Sequence, residues 1–276
     1  MKTFHTFDGL KLAYSDTGAG VPVLCLPGLT RNGRDFDDMA RALGGGQRLI
    51  CLDSRGRGGS QHDPNFHNYA IPIEAADAVA LLDHLGLEQV VIVGTSRGGL
   101  IAMVLAATQK HRLAGVVLND IGPVIDTAGL DRIKDYLGKN PPFRTYEEAA
   151  EGLAEQLQGQ FDNVSSAQWL SAAKRWWNAG PDGLTINYDP RLADAVAAAG
   201  AQPTPDLWPL FDALSDLPLA TIRGANSDLL SADTLDQMAR RNPDMVATTI
   251  ADRAHVPFLD EPGALTAIRS VITAAQ

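Results

Sequence analysis

An α/β fold, with an eight-stranded, mostly parallel sheet covered by helices on both faces, follows from two features of the sequence. Short apolar β-type runs alternate with segments of helical period, and most of the runs are separated by enough chain for a crossover helix. The first two runs, FHTF (4–7) and KLAYSDT (11–17), flank Asp8-Gly9, a hairpin signal, so this pair is expected to be antiparallel. VPVLCL (21–26), RLICLD (48–53), QVVIVG (89–94), LAGVVLND (113–120), LATIRG (219–224) and MVATTIA (245–251) supply six more strands. Helices are expected over 72–85, 98–107 and 262–274, where apolar residues recur at spacings of three and four. One interval breaks the alternation. Residues 124–209 are helical and proline-punctuated with no convincing core strand, and they read as an insertion into a core made of 1–123 and 210–276. That insertion holds all four tryptophans (Trp169, Trp176, Trp177, Trp208) and nine of the 17 aromatic residues. Such rings either fasten a helical layer onto the core or line an apolar pocket beneath it.

Composition narrows the function. Lys and Arg number 23 against 33 acidic residues, a net charge of −10, which on balance repels a nucleic-acid backbone. The opening MKTFHTFDGLKLAYSD carries no apolar stretch of signal-peptide length, and no run approaches the ~20 apolar residues of a membrane span. A cytoplasmic protein with neither a nucleic-acid nor a membrane partner is expected. Cys25 and Cys51 each lie within an apolar strand, where buried reduced thiols are expected.

The chemistry concentrates at VVIVGTSRGGLIAMVLA (90–106). A dinucleotide fingerprint needs a second glycine where Ser96 stands, and a P-loop needs Gly-Lys-Ser/Thr; the run is instead Gly94-x-Ser96-x-Gly98 between an apolar strand and an apolar-periodic helix. The glycines remove side chains that would block the approach of strand and helix around a sharply turned serine. A serine hydroxyl is a weak nucleophile at neutral pH and requires a base and a group to orient it. Of six histidines, His5, His84 and His111 fall in a hairpin, on a helix and at a helix end. His62 and His67 sit in a polar loop without the third close ligand a metal would need. His255, in the loop ADRAHVPFLDEP after the last strand, is the candidate base, because loops at that end of a parallel sheet gather around ligands.

With LPGLT (26–30), DSRGRGGS (53–60), GTSRGG (94–99), RGANSDLL (223–230) and AHVPFLDEP (254–262) in this order, the chain resembles the α/β-hydrolase superfamily along nearly its whole length, with the insertion as a helical cap. The resemblance implies a serine hydrolase acting on an ester, thioester or lactone of a small-molecule substrate, with no cofactor and no metal. Ser96 would attack the carbonyl, His255 would carry the proton, and the backbone N–H groups of Leu29 and Arg97 would face the oxyanion. Two aspartates could orient His255. Asp228 is favoured, because a polar turn between strand and helix can aim a carboxylate at the histidine loop, and Asp120, which ends LAGVVLND, is then left to pair with Arg97 or to brace the start of the cap. Arg31, Trp176, Trp177 and Trp208 are the candidate pocket residues. Arg97 is expected to pair with a scaffold aspartate rather than with substrate. A carbon–carbon bond hydrolase or lyase would use the same triad, and a non-catalytic receptor would keep the same scaffold.

Overall fold

The computed structural model describes residues 1–202 and 205–276, so the insertion read as 124–209 includes two positions outside the described residues. In chain order the elements are β1 (Lys2–His5), β2 (Lys11–Gly18), β3 (Val21–Leu26), α1 (Asp37–Leu43), β4 (Gln47–Leu52), α2 (Ile71–His84), β5 (Val90–Thr95), α3 (Arg97–Gln109) and β6 (Leu113–Asn119). Between β6 and β9 lie α4 (Thr127–Tyr136), α5 (Tyr146–Gln156), α6 (Ser166–Trp176), β7 (Trp177–Gly180), β8 (Gly183–Ile186), α7 (Leu192–Gly200) and α8 (Trp208–Asp212). β9 (Leu219–Gly224), α9 (Ala232–Arg241), β10 (Val246–Ile250) and α10 (Pro262–Ala274) complete the chain.

Eight strands form one sheet in the order β1-β2-β4-β3-β5-β6-β9-β10. β2 runs antiparallel to both of its neighbours, and every other pair is parallel. The period of two is visible in the packing. Leu24, Leu26, Val90 and Ile92 face a layer that includes α2, α3 and α9. Val23, Cys25, Val91 and Val93 face α1 and α10. Cys25 and Cys51 are register partners on β3 and β4, both buried as free thiols, and burial pushes the Cys25 thiol well up from its ordinary value.

Two strand ends differ from the sequence reading. The first strand closes at His5, since Thr6 Oγ1 bonds with the backbone N–H of Leu10 and Gly9 turns with φ +83°. β6 closes at Asn119 because Asp120 has φ +55°, outside the strand region. The insertion also contains an antiparallel hairpin, β7–β8, that its helical reading missed. These two strands are four residues each and lie away from the main sheet, too short for a period-two signal to emerge.

The insertion carries its own apolar cluster, built from α5, α6 and Leu184 of β8. Trp169 is its centre at 2% exposure, edge-on to Phe161 and to Phe258, the latter contributed by the histidine loop of the core. Trp208 has a different place from the one expected. It packs edge-on against Phe211, which is buried in the layer over the main sheet, and Arg241 lies 4.4 Å over its ring. It is thus a packing residue of the core and does not line the cavity described below.

Replacing Trp169 with alanine should remove about 3–5 kcal/mol of unfolding free energy, read from urea denaturation, because a large buried ring leaves a void that its neighbours cannot fill.

Candidate active site

β5 delivers Ser96 to the carboxyl end of the sheet in a conformation, φ +50° and ψ −113°, that a non-glycine residue adopts only when its surroundings enforce it. They do so through glycines. A Cβ on Gly98 would lie 2.0 Å from the Leu26 carbonyl oxygen, and one on Gly94 would lie 2.6 Å from the backbone of Gly98. The Ser96 backbone N–H donates to the Asn119 carbonyl at 2.9 Å, so the turn is also tied to the end of the neighbouring strand β6.

His255 stands between Ser96 and a carboxylate. Its Nε2 is 2.9 Å from Ser96 Oγ, and its Nδ1 is 2.7 Å from Asp120 Oδ2. Asp120, not Asp228, therefore holds the histidine. The physical reason lies in the polar turn after β9. There Ser227 Oγ donates to Asp120 Oδ2 at 2.6 Å and the Gly224 N–H donates to Asp120 Oδ1 at 2.8 Å. The turn thus supplies donors to the buried carboxylate rather than a carboxylate of its own. Asp228 faces the insertion and accepts from Arg132 Nη2 at 2.7 Å, while its carbonyl receives the Gly129 N–H at 3.2 Å. The positive φ that ends β6 swings the Asp120 side chain under the histidine loop. A non-glycine residue ending a strand in that conformation leaves only a faint sequence signal, the turn-forming run Asn119-Asp120-Ile121-Gly122-Pro123.

Asn119 ties the loops together. Its Nδ2 donates to Thr95 Oγ1 and to the Pro257 carbonyl, each at 3.1 Å, so the residues flanking Ser96 and His255 share one fully buried amide.

The backbone N–H groups of Leu29 and Arg97 make no hydrogen bond among the described residues, and Arg97 opens α3, where the first helical donors lack intrahelical acceptors. Both residues are positioned by a buried ionic network that the sequence reading missed. Arg57, from the DSRGRGGS turn, donates through Nε to the Leu29 carbonyl at 2.8 Å and through Nη1 to Glu74 Oε1 at 2.7 Å. Arg97 donates to the same Glu74, through Nε at 2.7 Å and Nη2 at 3.0 Å. Arg97 thus pairs with the scaffold as expected, but with a glutamate of α2 rather than an aspartate. Burial alone would raise the Glu74 pKa, and the charges of Arg57 and Arg97 overcome it and hold the group at about 2. The rest of the turn is equally committed. Asp53 receives the N–H groups of Gly33 and Gly59, and the buried Arg55 bonds Asp77 and Asp63, so Asp63 belongs to an ion pair. No cluster of metal-ligating side chains occurs among the described residues.

A cavity of about 550 Å³ opens against His255, Thr95 and Asn119, between the sheet's carboxyl edge and the insertion. Arg31, Trp176 and Trp177 line it, with Phe143, Phe161 and Phe258 adding apolar wall. Trp208 is not among its walls. No helix of the described residues is long and apolar enough to cross a membrane.

The family model for the alpha/beta hydrolase fold matches residues 21–262. The chain belongs to this family. It is similar to the 3-hydroxybutyrate-oligomer hydrolase of Cupriavidus necator, at 36% identity over 96% of this chain and 94% of that protein. An sn-1-specific diacylglycerol lipase of Danio rerio is 27% identical over 99% of this chain and 82% of its own. Among solved structures, an alpha/beta hydrolase from Novosphingobium aromaticivorans superposes with a TM-score of 0.92 at 41% identity, covering 99% of this chain and 97% of that one. The α/β hydrolase described here is accordingly an enzyme of the hydrolase type.

The Glu74 carboxylate has a depressed pKa in the folded state, so its contribution is full above the ordinary carboxylate value of 4.5 and is lost as pH falls toward about 2. Glu74→Gln should cost about 3–5 kcal/mol at pH 7, by leaving the buried Arg57 and the half-buried Arg97 without their counter-ion. The gap between wild type and variant, from denaturation at each pH, should narrow by about 2 kcal/mol between pH 7 and pH 3.

Proposed function

We infer that this enzyme hydrolyses a carboxylic ester or related acyl bond through Ser96, His255 and Asp120 and a covalent acyl-enzyme. The observation that carries this reading is the continuous chain of hydrogen bonds from Ser96 Oγ through the His255 ring to Asp120. Neutral His255 Nε2 accepts the serine proton as Oγ attacks the carbonyl carbon. The ring then carries a positive charge beside the buried Asp120 carboxylate. The proton passes to the departing alcohol, water enters along the same path, and His255 serves as base a second time. The Leu29 and Arg97 N–H groups meet the charge that develops on the carbonyl oxygen, and preorganised donors of this kind are each worth roughly 3 kcal/mol in the transition state.

Support for an ester over a carbon–carbon bond comes from the relatives, two of which act on esters by name: a 3-hydroxybutyrate-oligomer hydrolase and a diacylglycerol lipase. An oligoester of a short hydroxy acid also suits a cavity of about 550 Å³, a typical volume for a small-molecule site.

A fluorophosphonate probe should form one adduct, located on Ser96 by peptide mass analysis. Ser96→Ala should abolish both the adduct and turnover of a short ester while leaving the melting temperature close to wild type. An adduct on another serine, or turnover that survives the substitution, contradicts this reading.

A further inference from the structure

Two arginines start close to the reacting serine, and their surroundings differ. The Arg97 guanidinium donates to Glu74 and to the Tyr69 carbonyl, which commits it to the scaffold. The Arg31 guanidinium donates no hydrogen bond among the described residues. Its Nε forms an ion pair with Asp35 Oδ2 at 3.8 Å, a separation too long for a hydrogen bond. That aspartate has other partners. Trp176 Nε1 donates to its Oδ1 at 3.2 Å, and Arg175 Nε stands 4.0 Å from the same oxygen. Burial raises the Asp35 pKa, against the opposing charges of Arg31 and Arg175 and the Trp176 hydrogen bond, so this carboxylate is shared among three partners.

Geometry adds what the charge balance leaves open. The Arg31 guanidinium carbon lies 3.6 Å from the centroid of the Trp176 ring, so the indole fixes the guanidinium in place. The side chain is 27% exposed and forms part of the cavity wall. It also begins beside the nucleophile. A Cβ built on Gly28 would sit 3.6 Å from Arg31 Cγ and 3.8 Å from Ser96 Cβ. The other cations on the wall are engaged: Arg132 with Asp228 and Gln160, Lys139 with the Asp135 carbonyl, and Arg175 with Asp38 and Ser171. A guanidinium held by an aromatic ring, with none of its N–H groups in a hydrogen bond among the described residues, is suited to paired hydrogen bonds with a carboxylate.

We propose that Arg31 recognises a free carboxylate, and that the preferred substrates are short esters carrying that carboxylate a few bonds from the scissile carbonyl. This rests on the ester-hydrolase reading and narrows it to an anionic substrate class. The carboxylate could belong to the alcohol portion of the ester or to the acyl portion, and two matched pairs of compounds separate these sources. 3-Acetoxybutyrate and its neutral amide test the first, and monoethyl succinate and ethyl succinamate test the second.

The experiment measures kcat/KM for each acid and its amide in wild type, Arg31→Gln, Arg31→Lys and Arg132→Gln, and measures binding of the same compounds to Ser96→Ala by calorimetry. In wild type the acid of at least one pair should be preferred by about 10- to 100-fold, the range expected for a hydrogen-bonded charge pair. Arg31→Gln should bring that ratio close to one. Arg31→Lys should keep part of it, and Arg132→Gln should narrow it far less. Because each ratio is taken within a single variant, a loss of folded protein does not alter it. The proposal is overturned by a wild-type ratio near one for both pairs, by a ratio that survives Arg31→Gln, or by an equal effect at Arg132. If the hydrolase reading is what fails, turnover is absent or persists in Ser96→Ala. The acid preference is then decided by binding to Ser96→Ala with and without Arg31→Gln.

Discussion

The Asp120 carboxylate is fully buried, and the surrounding architecture follows from the need to keep a charge there. An unpaired carboxylate in such a place would become protonated or destabilise the fold. Here Oδ1 receives the Gly224 N–H, and Oδ2 receives Ser227 Oγ and faces His255 Nδ1. Those groups come from the end of β9, the turn that follows it and the loop after β10, so one carboxylate fixes two loops against the end of β6. The backbone of the same strand end does likewise. The Asn119 carbonyl accepts the Ser96 N–H, and the Asp120 N–H donates to the Ile222 carbonyl at 2.7 Å. On the proposed mechanism, the group that stabilises the imidazolium is also the group that aligns it.

A second buried carboxylate, Glu74, performs a parallel task through Arg97, the residue after the serine. By engaging Arg57 and Arg97 it links the loop after β3, the turn after β4 and the first residue of α3. The two proposed oxyanion donors, on Leu29 and Arg97, are therefore adjusted by one shared counter-ion. The insertion adds a third constraint, since Phe258 of the histidine loop lies stacked on Phe161 and edge-on to Trp169. Loops that carry chemistry are held here by buried charge and buried rings, while the sheet supplies their starting points.

Most of the sheet was legible because its strands are buried on both faces and read as continuous apolar runs bounded by turns, as VPVLCL and QVVIVG do. Ser96 was legible for a local reason: the two glycines around it answer to a steric demand within five residues. His255 could be read from its position after the last strand. The acid could not. Asp120 and Asp228 both follow strands, and the choice depends on side-chain directions set by a positive φ at one and an Arg132 contact at the other. Glu74 was hidden as well, since a charged residue within IPIEAADAVALLDH gives no sign that its partners are Arg57 and Arg97, 17 and 23 residues away. Trp208 could not be separated from Trp176 and Trp177 by composition, because aromatic residues serve packing and pocket alike.

The most direct test of the central claim compares Asp120→Asn with Asp228→Asn on one short ester. The amide at position 120 removes the charge beside His255 and favours the wrong imidazole tautomer, so kcat should fall by something on the order of 10⁴. Asp228→Asn loses an ion pair that is partly exposed, 28% on the carboxylate and 42% on Arg132, and should lower kcat far less. A larger loss at position 228 than at position 120, with both variants folded by circular dichroism, would contradict the account.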